Sequence, residues 1–583
     1  MSPETVREQP AGPRPDTEAG GRLGRAAAAL ASNARNPCLR RAQLSFLGAW
    51  TAEWAFTVGL GIVAYRDGGA TAVGLVGLLR MAPSALLAPV LTPLADRGRR
   101  ERVLVVVSTV RGVATAAAAL VVGLSGPSSL VYVLAVVSTI AATLYRPAHS
   151  ALLPSLCRSG YELTSTNVVR GLLDSVATLL GPLLAALLLG VAGVTSVFAV
   201  ASAASLWAAF LVARLRYDAP PRPSAPPEGA LLRSAAEGIR AVRRSGDLAL
   251  IMGLAVAQTL TRGALTVLTV VVAIDLLRTG ESGAGLLTAA IGAGAVLGSL
   301  AAALLLDTRR LGGWFALGVS LWGLPVIVIG VLPHETTALA MLACVGVGNA
   351  LTDLGGFTLL GRIAPDEVLA RVFGVLESLV ALSMGLGAVL TSVVVELAGI
   401  RATLVVVGVL CPVAAALAWP RLRRMDRSLS VRDEEIATLR RVPMLGFLPL
   451  PAVEQLARGM QPVDVPAGAT VFEQGDVGDR YFVIESGEAV VVGDGEVVAR
   501  LGPGEGFGEI ALLRQVRRTA GIRATQPLRL QSLRSEHFLA VVLGYPPSAR
   551  DAGTTVASRL DRFSPTGGVD GPRPDPPPGA PHG

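Results

Sequence analysis

The chain has 583 residues, of which 51% are apolar and only 16% charged, and its mean hydropathy is +0.56. A soluble chain this apolar would present more hydrophobic surface than it could cover, which excludes a set of ordinary soluble domains and implies a large membrane part. The net charge of +8 is carried by Arg without a single Lys, which removes a Walker A phosphate lysine and Schiff-base chemistry.

Residues 1–43 are rich in Pro, Gly and Arg and read as a disordered cytoplasmic tail; their apolar run Ala26–Ala31 is too short for a signal-peptide core. Twelve apolar stretches follow, near 44–65, 71–95, 103–124, 129–150, 163–190, 194–213, 248–273, 283–306, 312–332, 336–361, 369–397 and 401–420. Each is long enough for a bilayer core, which takes about 20 helical residues. The first six form one half (44–214), a Pro-rich linker spans 215–247, and the last six form a second half (248–420). LLDS at 172–175 and AGVTS at 192–196 recur as VLES at 375–378 and AGIRA at 398–402. This weak internal similarity matches the two-half layout of secondary transporters.

The loops set the orientation. Seven Arg lie in the N-terminal tail, four (Arg97, Arg99, Arg100, Arg102) after the second stretch, and seven more in the loop 214–247. The alternate loops hold Arg66, Arg278 and Arg401, one each. By the positive-inside rule both termini are cytoplasmic and the protein is a multi-pass cell-membrane protein. The Arg residues sit mostly at the ends of apolar segments, so the basic balance points to the lipid bilayer and not to nucleic acid.

After Trp419 the composition changes. Residues 421–442 carry many charges and read as a linking helix, and 443–460 as a short helical element. From Val463 to about Leu533, short alternating runs such as TVF, YFVIE, EAVVV and VVARL are separated by Gly-containing turns, as in a small β-barrel or jelly roll. Helices are expected at 535–543 and 549–563, and a disordered tail at 564–583. The fold class is thus an all-α polytopic membrane protein of twelve helices in two six-helix halves, plus a small α+β domain with a β-barrel or jelly-roll core.

Four cysteines (Cys38, Cys157, Cys344, Cys411) and four histidines (His149, His334, His537, His582) are scattered, so neither a disulfide framework nor a clustered metal site is expected. No cofactor and no enzyme motif is found: there is no GxSxG elbow, HExxH or P-loop. A channel filter such as TVGYG is also missing.

The most specific segment is FGEIALLRQVRRTA at 507–520. Gly506 and Gly508 let backbone approach a ligand. Glu509 offers an acceptor for a ribose hydroxyl. IALL at 510–513 can start a short helix whose free N–H groups suit an anion. Arg518 adds a fixed fork of donors for phosphate oxygens. Sugar beside phosphate is what a cyclic nucleotide presents.

This segment resembles the phosphate-binding cassette of the cyclic-nucleotide-binding domain family, and the resemblance covers 443–563. It implies that Glu509 binds the ribose, that Arg518 binds the exocyclic phosphate oxygens, and that Gly508, Ile510, Ala511 and Leu512 complete the pocket. Thr519 is compatible with cAMP or cGMP as the regulatory ligand. The resemblance further implies a C-terminal helix, here 549–563, that folds over the base, with the helix at 421–440 carrying the shift to the twelfth span. Gln515 stands where the family commonly has Gly.

In the membrane part, LADRGRRERV at 94–103 resembles the cytoplasmic loop signature of major facilitator transporters, carried here by Asp96, Arg97, Arg99 and Arg100. Thr92 departs from the usual Gly, and the core is one residue short. YRPAHSALLPSL (145–156), GPLLAALL (181–188) and APDEVLARVFGVLES (364–378) look like the drug- and siderophore-efflux branches, extending the resemblance to 44–420.

Ionisable groups inside a membrane are costly and often functional. Here they include Glu53, Arg80, Arg111, Arg170, Asp174, Arg262, Asp353 and Glu377. The first, fourth, seventh and tenth spans line the cavity in that family, which singles out Glu53, Arg262 and Asp353. The expectation is that Glu53 or Asp353 exchanges a proton and that Arg262 tunes it or holds an anionic substrate. An interhelical pair that only orients the bundle is the alternative for these groups. Arg80, Asp174 and Glu377 lie nearer the cytoplasmic ends of their spans and read as structural.

The sequence thus supports efflux of an amphipathic or lipophilic small molecule under cAMP or cGMP control. The alternative is a membrane-anchored nucleotide sensor without transport. An oligomer formed through the cytoplasmic domain is compatible with either.

Overall fold

The computed structural model describes residues 35–544 apart from 97–98, 158–159, 216–229, 306–309, 365 and scattered positions between 443 and 458. The tails, Arg97, the Pro-rich stretch 220–227 and the expected helix at 549–563 therefore lie outside the described residues. The chain forms two compact units, Met1–Asp426 and Arg427–Gly583.

The first unit is all-helical. Its helices are α1 (Pro37–Asp96), α2 (Arg100–Gly123), α3 (Ser128–Ala142), α4 (Tyr145–Leu156), α5 (Gly160–Val191), α6 (Gly193–Ala213), α7 (Ala230–Arg244), α8 (Gly246–Val271), α9 (Gly280–Leu305), α10 (Leu311–Val331), α11 (Glu335–Ile363) and α12 (Asp366–Arg441), whose residues after Asp426 are counted in the second unit. A π-helical turn, Val272–Leu276, ends α8.

Among the described residues, ten helical segments are long and apolar enough to cross a membrane. The sequence reading expects twelve spans, and two breaks explain the difference. In α1 the backbone leaves helical geometry at Gly68 and Gly69, and in α12 it does so at Gly399. Gly69 (φ 60°) and Gly399 (φ 80°) adopt the left-handed conformation that side chains resist, so each break sits where glycine allows it. Counted as straight rods, the two broken helices supply two spans each.

Lipid-facing positions stay apolar and exposed, as at Leu120, Leu187, Leu297, Val406 and Leu417. Helices cross closely where small residues meet, as membrane packing favours. A Cβ on Gly292 of α9 would lie 2.5 Å from the Leu179 backbone of α5, and one on Gly77 of α1 would lie 3.0 Å from Ala388 of α12. Both crossings join the first half to the second.

The second unit holds β1 (Gln461–Val465), β2 (Thr470–Phe472), β3 (Arg480–Ser486), β4 (Ala489–Gly493), β5 (Glu496–Leu501), β6 (Gly506–Phe507), α13 (Glu509–Arg514), β7 (Gly521–Ala524), β8 (Leu528–Arg534) and α14 (Ser535–Gly544). The strands form two antiparallel four-stranded sheets, β1-β8-β3-β6 and β2-β7-β4-β5, a jelly-roll arrangement. The run YFVI is apolar throughout because β3 buries both faces. Phe482 and Ile484 enter the core between the sheets with Val491, Leu501 and Ile522. Tyr481 and Val483 enter a second core with Leu456, Leu512, Phe538 and Val542.

Candidate functional site

The pocket of the second unit is built where β6 passes into α13. Gly508 caps α13 with φ 92°. A Cβ there would lie 2.5 Å from Arg518 Nη1 and 3.2 Å from the Arg480 carbonyl oxygen, so both conformation and crowding demand glycine. Glu509 follows as the first residue of α13 and is 1% exposed. The chain then turns back through Gln515, itself left-handed at φ 53°. That conformation accounts for the glycine common at this position in the family.

Arg518 is 4% exposed. Its backbone is bracketed by the turn after β2: Arg518 N–H donates to the Asp476 carbonyl and Gly475 N–H donates to the Arg518 carbonyl, both at 2.8 Å. Its guanidinium donates from Nη1 to the Gly508 carbonyl (3.0 Å) and from Nη2 to the Arg480 carbonyl (2.8 Å). It also lies over the Phe472 ring, 4.1 Å from the centroid. Nε has no hydrogen-bond partner among the described residues. Burial pushes its pKa below the ordinary arginine value, opposed by the Asp479, Glu509 and Asp476 carboxylates. The group stays a cation all the same, since arginine is effectively always protonated.

These residues wall a cavity that opens to solvent and combines apolar walls with a few convergent polar groups, the make-up usual for small-molecule sites. Gly508, Glu509, Ile510, Ala511, Arg518 and Thr519 all line it. Leu512 does not; its side chain lies in the second core. Phe472 and Arg500 also line the cavity and were missed by the sequence reading. Nothing in TVF marks a ring that will sit under an arginine. Arg500, at the end of β5, shows only as a charge just before a Gly-Pro-Gly turn.

In the membrane unit the ionisable groups sort into two arrangements. Glu53 is clamped by two arginines: Arg80 Nη2 reaches Oε1 at 2.9 Å, and Arg111 Nη2 reaches Oε2 at 2.6 Å. Arg80 Nε also donates to Thr139 Oγ1 at 2.9 Å, and Arg111 Nη2 to the Ala49 carbonyl at 3.2 Å. The triad thus ties α1, α2 and α3 together. Sequence reading grouped Glu53 with Arg262 and Asp353 and set Arg80 aside as structural. The structure instead pairs Glu53 with Arg80 and Arg111.

Asp353 and Arg262 belong to the other arrangement. Asp353 is exposed and accepts from Asn349 Nδ2 at 3.1 Å. Arg262 lies 5.7 Å over the Trp54 ring. Nearby, Arg146 pairs with Asp174 at 2.9 Å and stacks 4.6 Å over Trp50. In the loop signature, Arg99 pairs with Glu101 at 2.5 Å and Arg100 Nη1 donates to the Ala151 carbonyl at 2.6 Å. The side chain of Asp96, and Arg97 altogether, fall outside the described residues.

At the opposite end of the bundle, the segment around Gly68–Gly69 ties four helical elements to α1. Tyr65 donates to Asp275 of the π-turn at 2.6 Å. Arg66 forms a two-pronged pair with Glu281 of α9 at 2.6 and 2.7 Å. Asp67 accepts from Ser128 at 2.9 Å and from Tyr132, both on α3. Thr71 bonds Glu396 of α12, and Ser392 donates to the Ala70 carbonyl at 2.8 Å.

The family model described as Major Facilitator Superfamily matches residues 44–352 and 254–461, so the chain belongs to the Major Facilitator Superfamily. That is a family of transporters, and this member is a multi-pass membrane protein. A second model, described as cyclic nucleotide-binding domain, matches residues 462–545, so the transporter carries such a domain at its C-terminal side.

Curated relatives match over short stretches of the chain. An uncharacterized protein of Mycobacterium tuberculosis is 43% identical over 94 residues, 16% of this chain and 18% of that one. The cAMP-dependent protein kinase regulatory subunit of Schizosaccharomyces pombe is 38% identical over 101 residues, 17% and 24% of the two chains. The match thus spans less than a quarter of the length of either relative. Among solved structures, the regulatory domain of Toxoplasma gondii PKA with cAMP is 29% identical; the match covers 23% of this chain and 49% of that one, with a TM-score of 0.19.

Proposed function

We infer that the protein is a secondary active transporter whose cycle is regulated by cAMP or cGMP bound to its second unit. The observation that carries the regulatory reading is Arg518, a buried cation on the wall of a cavity, with one donor unused. A cyclic nucleotide offers an anionic phosphate and a ribose hydroxyl. Arg518 would hold the phosphate and Glu509 would accept from the hydroxyl, while Phe507 and Ile522 give the cavity apolar walls. Ligand binding then biases a two-state equilibrium of the transporter.

The transported molecule is taken to be an amphipathic or lipophilic small molecule moved outward, with both termini on the cytoplasmic side. The mixed character of these groups supports this, since Arg146, paired with Asp174, stacks on Trp50 and Arg262 lies over Trp54. For proton coupling, Asp353 is favoured over Glu53. Asp353 is exposed and bonded to one neutral amide, whereas Glu53 is needed to separate two guanidiniums.

The test is calorimetric titration of cAMP and of cGMP into the purified full-length protein, with Arg518→Ala as control. Saturable binding of one nucleotide, weakened about 10- to 100-fold in the variant, is expected, and that nucleotide should change the rate of flux in proteoliposomes. Failure of both nucleotides to bind overturns the regulatory reading. Binding without any flux across a panel of amphipathic compounds would favour a membrane-anchored sensor.

A further inference from the structure

The linker between the two halves contains the helix α7 (Ala230–Arg244). We propose that α7 is an interfacial helix that binds anionic phospholipid headgroups through Arg240, Arg243 and Arg244.

The helix has two unlike sides. One is held by protein: Glu237 pairs with Arg371 of α12 at 2.8 Å. Gly238 lies so close that a Cβ there would meet the Arg371 carbonyl oxygen at 2.7 Å and the Val375 side chain at 3.0 Å. This contact fixes the rotation of α7 about its axis. The other side is exposed and carries Ala236, Ile239, Arg240, Arg243 and Arg244. Positions i, i+4, i+7 and i+8 from Ala236 fall on one helical face. Among the described residues the three arginines make no ion pair, and Ile239 is 49% exposed.

The depth of this face follows from what comes next. Ser245 caps α8, accepting from Leu248 N–H at 3.4 Å, and the membrane-length segment begins at Gly246. The three guanidiniums therefore end within two turns of a transmembrane helix, at the level of the headgroups. Guanidinium forks match phosphodiester oxygens. An exposed isoleucine amid them suits the boundary between headgroup and acyl chain, where amphipathic basic helices lie. Charge complementarity therefore selects an anionic lipid, and the apolar residue selects a bilayer over a free phosphate ion.

The test uses the full-length chain in nanodiscs, which expose both leaflets and so do not depend on the proposed orientation. With the four native cysteines replaced by Ser, a fluorophore at Ile239→Cys should be quenched more by brominated phosphatidylglycerol than by brominated phosphatidylcholine at equal mole fraction. The triple variant Arg240→Gln, Arg243→Gln, Arg244→Gln should lose that preference, since each Arg near an anionic surface contributes roughly fivefold. Equal quenching by the two lipids, or a preference that survives in the variant, overturns the proposal. Native mass spectrometry of the chain with its cysteines intact gives a second reading. Fewer retained phosphatidylglycerol molecules in the triple variant are expected, and unchanged retention overturns the proposal.

Discussion

The molecule buries arginines in two ways. In the membrane unit, Arg80 and Arg111 share the carboxylate of Glu53. In the second unit, Arg518 is held by two backbone carbonyls and an aromatic face, with no ion pair among the described residues. The Glu53 carboxylate offsets one of the two guanidinium charges and bridges both cations, so the first arrangement works as a strut, with Arg111 Nε and Nη1 left without a hydrogen-bond partner among the described residues. Carbonyl dipoles hold a guanidinium in place without cancelling its charge, so the second remains ready for an anion. Burial alone does not mark a binding arginine; the nature of its partners does.

The comparison is tested most severely at Glu53. Glu53→Gln leaves two guanidiniums facing each other in a buried site, and losing one partner of a buried charge cluster costs about 3–5 kcal/mol. A sharp drop in the thermal midpoint of the purified protein, with low folded yield, is the expected outcome. A midpoint unchanged from wild type would break the strut reading.

Next in size is Arg518→Ala. A charged hydrogen bond contributes roughly 1.5–3 kcal/mol, so nucleotide affinity should fall about 10- to 100-fold by calorimetry. Wild-type affinity in this variant would mean that the phosphate is held elsewhere. Asp353→Asn keeps shape and can still accept from Asn349, so stability should change by no more than about 0.5 kcal/mol. Flux driven by a pH gradient should nonetheless disappear. Unimpaired pH-driven flux would remove Asp353 from coupling.

The smallest effect is at Gln515. Relief of its left-handed backbone by Gln515→Gly should stabilise the second unit by about 1 kcal/mol, read as a rise in its unfolding midpoint. Destabilisation would show that the Gln side chain matters more than its backbone.

The cassette was legible because its chemistry lies in residue types at short spacing: Gly508, Glu509 and Arg518 fall within one segment of eleven residues. The jelly roll was legible from strand alternation and turns. The partners of Arg518 were not, because two of them are carbonyl oxygens of Gly508 and Arg480, which any residue would supply. The Glu53 triad shows the limit from the other side. Each member was visible as a charge within an apolar span, but which charges meet depends on helix rotation, and an almost uniformly apolar helix gives no polar face from which to read it. Arg80 was set aside for its position along its span, although its guanidinium meets Glu53.

The segment from Tyr65 to Thr71 bonds to α3, to the π-turn after α8, to α9 and to α12 within seven residues. Exposed pairs of this kind contribute only ~0.2–1 kcal/mol each. Because they share one short stretch of backbone, however, they cannot be released one by one. Parting the halves on that face ruptures those to the π-turn, α9 and α12 together, while the bonds to α3 stay within the first half. Weakening this segment should therefore both shift the resting equilibrium away from the described state and speed the parting of the halves.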